Sequence, residues 1–214
     1  MTLENFIVFE GIDGSGTSTQ ISLLKNQIGT EKFLFTAEPT SAPTGKFLRQ
    51  MLKGDFPLTP ETAAYLFAAD RNEHVNGEFL YEGQTLVTGI KKACSLGYTV
   101  VSDRYLFSSL AYQSVQGEKE VPRRLNSGFP LPSLVFFFEI EPKIALNRIN
   151  NRETKEIYEK EAFLEQTVSE YKRIFSEYQK SENKLKIIYI DATQSAEEIQ
   201  KIIWQEIKNQ PIKN

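Results

Sequence analysis

The stretch Phe6-Ile-Val-Phe-Glu-Gly-Ile-Asp-Gly-Ser-Gly-Thr-Ser-Thr19 decides the fold. Its four consecutive apolar residues read as a strand covered on both faces, the pattern of a parallel sheet rather than a half-exposed one. The chain then enters a Gly-rich turn of the form G-x-x-x-x-G-K-[ST], and a helical pattern follows over Thr19–Ile28. Gly11, Gly14 and Gly16 allow successive backbone N–H groups to curl around phosphate oxygens, with Ser15, Thr17, Ser18 and Thr19 alongside. The dipole of the helix N-terminus adds to that cradle. Ser18 would supply a hydroxyl to Mg²⁺. Position 17 holds threonine where the pattern has lysine. The loop thus offers a hydroxyl there and no charge. A Gly-rich turn that merely caps a helix is the alternative reading.

Working outward, Phe33–Thr36, Thr99–Ser102, Leu134–Ile140 and Lys186–Ile190 read as four more strands. Helical patterns fill the intervals at Thr44–Leu52, Pro60–His74, Glu78–Leu96, Pro142–Asn151, Lys160–Ser181 and Ser195–Lys208. Strands alternating with helices imply βαβ units and an α/β fold, a doubly wound five-stranded parallel sheet flanked by helices. The stretches Glu38–Gly45, Gly117–Pro132 and Asn150–Glu159 read as loops. No repeat or linker divides the chain, so residues 1–214 read as one domain. In such sheets ligands bind at the carboxyl ends of the strands.

Charge excludes some partners. The 214 residues carry 25 Lys and Arg against 28 Asp and Glu, a net of -3, which gives no basic face for nucleic acid and no polybasic membrane patch. Cys94 is the only cysteine and His74 the only histidine, so one chain can build neither a disulfide nor a multi-Cys or multi-His metal site. The apolar runs are far too short to span a bilayer. The first residues show no basic region leading into an apolar stretch. The expectation is a cytoplasmic protein.

Three further stretches carry a resemblance: Thr36-Ala-Glu-Pro-Thr40 with Gly45-Lys-Phe-Leu-Arg49, Leu66-Phe-Ala-Ala-Asp-Arg-Asn-Glu-His74, and Ser102-Asp-Arg-Tyr-Leu-Phe-Ser-Ser-Leu-Ala-Tyr-Gln113. Together with the Gly-rich loop, they resemble the thymidylate kinases, P-loop enzymes of the nucleoside monophosphate kinase type, in order from about Phe6 to Asp191. The resemblance implies phosphorylation of dTMP to dTDP by Mg-ATP, with dTMP and ATP as small-molecule partners and a homodimer formed through helices such as Glu78–Leu96.

The resemblance also implies roles. Arg104 and Arg49 would take the dTMP phosphate, where a fixed guanidinium forks onto oxygens. Glu38 and Pro39 fall in the loop beside it. Phe67 would stack on thymine and Arg71 bond its edge, with Ser109 and Gln113 reading the polar side and Tyr112 beside the deoxyribose. Asp13 resembles a carboxylate that contacts dTMP during transfer. Asp103, after Val-Val-Ser, is placed like a Walker-B carboxylate that holds Mg²⁺ with Ser18. Arg148 and the turn at Ala192 resemble the pair around adenine. Arg152 lies in the expected mobile lid, about 148–160.

Simpler readings stand beside these. Asp13 suits a turn and Phe67 suits core packing. Arg71 has Asp70, Glu73 and Glu78 nearby, and Arg148 has Glu139 and Glu141. Because Thr17 removes the charge that normally follows the transferring phosphoryl group, a catalytically impaired nucleotide-binding protein of kinase descent is the alternative function.

Overall fold

The computed structural model describes residues 1–28, 33–79, 87–149, 158 and 160–210. Its main sheet is built from β1 (Thr2–Gly11), β2 (Phe33–Ala37), β5 (Thr99–Asp103), β6 (Leu131–Glu139) and β7 (Lys186–Asp191). The order is β2-β5-β1-β6-β7, and every pairing is parallel. The doubly wound sheet read from the sequence is therefore present. β1 and β6 lie inside it, and Phe6, Val8, Phe9 and Leu134–Phe136 have no exposed surface, as continuous apolar runs require.

Helices cover both faces: α1 (Thr17–Gln27), α2 (Pro43–Leu52), α3 (Pro60–Asn76), α4 (Ile90–Ser95), α5 (Leu106–Gln116), α6 (Glu120–Asn126), α7 (Pro142–Ile149), α8 (Glu161–Ser181) and α9 (Ala196–Lys208). The caps follow sequence chemistry. Thr59 caps α3 through its side chain, with Pro60 in the first turn, and Ser195 with Glu198 forms a capping box on α9. Aromatic rings seal α8 to the sheet: Phe137 lies 5.1 Å from Tyr171 and 5.0 Å from Phe175. Cys94 is buried, and burial pushes its thiol up to about 12, in keeping with an inert residue. No helix among the described residues is long and apolar enough to cross a membrane.

Two readings need correction. Glu78–Leu96 is not one helix: β3 (Glu78–Phe79) pairs antiparallel with β4 (Val87–Thr88), and α4 begins at Ile90. Next to this pairing, Gly89 N donates to Gly77 O at 2.5 Å. A side chain at Gly89 would strike the carbonyl of Val75. The stretch Gly117–Pro132 is not a plain loop either. It contains α6, whose Pro122 sits in the first turn, where a missing N–H breaks no helical bond.

Candidate active site

Two cavities open at the carboxyl ends of the strands. One of about 440 Å³ is lined by the turn Ile12–Gln20, by Arg148 and Ile149, and by Ala192, Gln194 and Ala196. The other, about 340 Å³, is lined by Glu38, Pro39, Arg49, Phe67, Arg71, Ser109, Tyr112, Gln113 and Tyr158. Asp13, Ser18, Asp103 and Arg104 line both. The cavities therefore meet on three oxygen-bearing side chains and one guanidinium.

The Gly-rich turn has the backbone that its sequence requires. Gly14 and Gly16 have φ of 82° and 98°, the left-handed region, and a Cβ on Gly14 would strike the Ala145 carbonyl. Gly11 ends β1, and Ser15 N donates back to Ile12 O at 3.1 Å. The helix starts at Thr17 with no side-chain cap, so the amides of its first turn head the cavity as donors for an anion. Thr17 is 8% exposed, and Thr19 lies beside it on the lining.

Ser18 Oγ donates to Asp103 Oδ2 at 2.5 Å, while Asp103 Oδ1 is buried with no hydrogen-bond partner. A hydroxyl and a free carboxylate oxygen suit a hard cation such as Mg²⁺. Among the described residues no group of three or more His, Cys, Asp or Glu could hold a metal alone, so such an ion would complete its shell with phosphate oxygens and water.

Arg104 is the only non-glycine residue with positive φ among those described, at 69°. Nη1 donates to Gly11 O at 2.8 Å and to Ser108 Oγ at 3.1 Å, and Nη2 to Asp13 Oδ1 at 2.7 Å. Asp13 Oδ2 accepts from the Tyr112 hydroxyl at 3.2 Å. Asp13 is thus more than a turn former: it fixes both the guanidinium and the tyrosine, whose ring centre lies 5.4 Å from Arg104 Cζ.

Behind that cavity lies a buried polar cluster. Arg71 is 1% exposed and donates to Glu38 Oε2 from Nε at 3.0 Å and Nη2 at 2.6 Å, to Ser109 Oγ at 3.0 Å, and to Asn126. Its ion-pair partner is Glu38 rather than the adjacent Asp70 or Glu73. Asp70 instead holds the Glu38 loop, accepting from Thr40 N at 2.8 Å and Thr40 Oγ1 at 2.6 Å. His74 bonds Glu38 Oε1 at 2.9 Å and Thr36 Oγ1 at 2.7 Å. Arg49 donates to Pro39 O, and both line the same cavity. Gln113 Oε1 is buried and unpartnered, and Phe67 is half-buried on the lining.

Burial alone would push the Glu38 carboxyl up, but Arg71 and His74 hold it below its ordinary value. Its stabilisation is complete above the unfolded value of about 4.3 and is lost as pH falls through the lowered folded value. Glu38→Gln leaves Arg71 buried without its counter-charge and is expected to cost about 3 kcal/mol at pH 7. Urea unfolding at pH 7 and again at pH 3 checks this; the gap between variant and parent should narrow at the lower pH.

On the other side of the first cavity, Arg148 Nη2 donates to Ala192 O at 2.9 Å, and Glu139 pairs with Lys172 at 3.0 Å. Arg148 therefore belongs to the cavity wall rather than to a surface pair. Arg152 and most of the expected lid lie outside the described residues. Sequence reasoning missed Glu10, Ser108, Asn126, Tyr158 and Tyr171. For Glu10 a signal existed, a carboxylate directly after Phe-Ile-Val-Phe. Asn126 and Tyr158 fell within stretches read as loops.

Comparison with known proteins gives one answer. A family model described as Thymidylate kinase matches residues 9–203. A protein from Leptospira interrogans named thymidylate kinase is 39% identical over 176 residues, 79% of this chain and 80% of its own. A protein from Methanocaldococcus jannaschii named "Probable thymidylate kinase" is 37% identical over 208 residues, 96% of this chain and 97% of its own. The solved structure of thymidylate kinase from Candida albicans shares the fold, with a TM-score of 0.72, 24% identity, and coverage of 95% of this chain and 90% of its own.

Proposed function

We infer how the cleft works from the premise that this chain belongs to the thymidylate kinase family. It phosphorylates dTMP, with ATP as donor. The 440 Å³ cavity is assigned to ATP, with its phosphates on the turn Gly11–Thr19 and its adenine between Arg148 and Ala192. The 340 Å³ cavity is assigned to dTMP: Phe67 against thymine, Arg71, Ser109 and Gln113 at its polar edge, Tyr112 beside the sugar, Arg49 and Arg104 on the phosphate, and Glu38 and Pro39 shaping the wall. One observation carries this assignment. The cavities join at Asp13, Ser18, Asp103 and Arg104, where an acceptor oxygen and a γ-phosphate would face each other.

Ser18 and Asp103 would hold Mg²⁺, which when bound supplies positive charge between the two anions. Arg104, fixed by Asp13 and Gly11 O, orients the attacking phosphate oxygen and offsets repulsion. In-line transfer needs no covalent enzyme intermediate and no strong base. Arg152, in the lid proposed at 148–160, is assigned part of the charge that Thr17 lacks. Arg152→Ala is expected to lower kcat about tenfold or more, and an unchanged kcat would remove that assignment.

A coupled assay with dTMP and ATP tests the whole reading. Turnover is expected; tight dTMP binding with no turnover would instead favour the impaired binding protein. Base stacking on an aromatic ring is worth about 1–3 kcal/mol, so Phe67→Ala is expected to weaken dTMP binding about ten- to a hundredfold with ATP binding unchanged. Calorimetry reads both; intact dTMP affinity would return Phe67 to core packing. The family further leads us to propose a cytoplasmic homodimer, which light scattering checks.

A further inference from the structure

Glu10 ends the apolar run of β1 as a carboxylate with no exposed surface. Four donors converge on it. Tyr105 N and Ser108 N reach Oε1 at 2.9 and 3.3 Å, and Ser108 Oγ and the Tyr171 hydroxyl reach Oε2 at 2.6 and 2.9 Å. Ser108 Oγ also lies 2.8 Å from the Tyr171 hydroxyl and accepts from Arg104 Nη1 at 3.1 Å. No ligand-facing atom of Glu10 lines either cavity, yet every polar group it holds lies one bond from Arg104 or from the helix that carries Ser108.

We propose that Glu10 is a positioning residue for Arg104: it draws the Ser108 hydroxyl proton into the buried cluster, so that a Ser108 lone pair faces the guanidinium. Donor counting makes the case. A guanidinium can only donate, so Ser108 Oγ must accept from it. The Ser108 and Tyr171 protons must then both end within the cluster, and a carboxylate with four acceptor sites can take them together with the two backbone N–H groups. An amide at position 10 breaks this count. Its oxygen is filled by the two N–H groups, and its NH₂ adds donors, leaving a hydroxyl proton without an acceptor or turned toward Arg104. The guanidinium would lose one of its three anchors while Asp13 and Gly11 O remain.

This inference rests on Arg104 being a ligand of the dTMP phosphate, and the test separates the two. Burial pushes the Glu10 carboxyl up to about 7, so calorimetry is done at pH 8, where it is ionised. dTMP and ATP are each titrated into the parent protein, Glu10→Gln, Ser108→Ala, the double variant and Arg104→Ala. Loss of a hydrogen bond to a charged group predicts that Glu10→Gln and Ser108→Ala each weaken dTMP about tenfold, with ATP within about twofold. The double variant should match the singles, because both act through one chain of bonds. If Arg104→Ala weakens dTMP but neither single variant does, or if both nucleotides weaken equally, the relay is wrong. If Arg104→Ala itself leaves dTMP binding intact, the phosphate assignment fails instead. Should Glu10→Gln not fold, Ser108→Ala decides alone: unchanged dTMP affinity overturns the proposal.

Discussion

Replacing Thr17 with lysine is expected to raise kcat with dTMP and ATP about a hundredfold, because one preorganised positive contact on a developing charge is worth about 3 kcal/mol. The position is ready for it. Thr17 heads α1 on the wall of the ATP cavity, directly after Gly16 with its left-handed φ, so a longer side chain would rise into the phosphate site. The basic side chains lining the two cavities, among the described residues, are Arg49, Arg71, Arg104 and Arg148. Each is held by protein oxygens: Pro39 O, Glu38, Asp13 with Gly11 O, and Ala192 O.

The gain should appear in kcat rather than in the KM for ATP, since the charge matters most when the phosphoryl group is in flight. A cation at a helix N-terminus opposes the dipole, so the unliganded variant is expected to be slightly less stable, by about 0.5 kcal/mol. A gain below threefold would mean that a cation outside the described residues already fills this role. Arg152→Ala in the Thr17→Lys background would then retain its full cost; if lysine takes over, that cost should largely vanish.

What could be read from the sequence follows the range of each interaction. The β1 run and the Gly-rich turn are local, and so the sheet, the turn and the position of Ser18 were legible. The motif around Arg71 places it in the site, but proximity in sequence points its pairing to carboxylates nearby. The partner is Glu38, 33 residues away, brought there by pairing of β2 with β5. The antiparallel pairing of β3 with β4 is hidden by a pattern that fits a helix, and Gly89 beside it approaches Val75 O more closely than a side chain would allow. Glu10 is silent in the sequence because its partners come from α5 and α8, 98 and 161 residues on. A lone carboxylate at the end of an apolar strand was the one available hint, and burial turned it into a constraint.

Removing the Arg104 side chain is expected to be the most damaging single change, lowering kcat/KM for dTMP about a thousandfold in Arg104→Ala, the scale on which an arginine acts at phosphoryl transfer. Arg104→Lys keeps the charge but cannot span Gly11 O, Ser108 Oγ and Asp13 Oδ1 at once, so a loss of about a hundredfold is expected there. Steady-state kinetics should show both losses with dTMP varied and little change in the KM for ATP. Equal activity of the lysine variant and the parent would mean that net charge, not the fixed fork, does the work.

The backbone supplies an independent check. Arg104 holds φ of 69° because its N–H is tied to Phe9 O at 2.9 Å and its carbonyl to Ser102 Oγ at 2.7 Å, at the point where β5 turns into α5. A left-handed conformation costs an ordinary residue about 1–2 kcal/mol, and glycine escapes it. Arg104→Gly and Arg104→Ala lose the same bonds, so they differ chiefly in that backbone term. Glycine is expected to be the more stable of the two by about 1 kcal/mol in urea unfolding, while both are equally inactive. If alanine were as stable as glycine, the turn would hold no strain. The positive φ would then be incidental to where the guanidinium points, rather than a cost the fold carries to aim it between the two cavities.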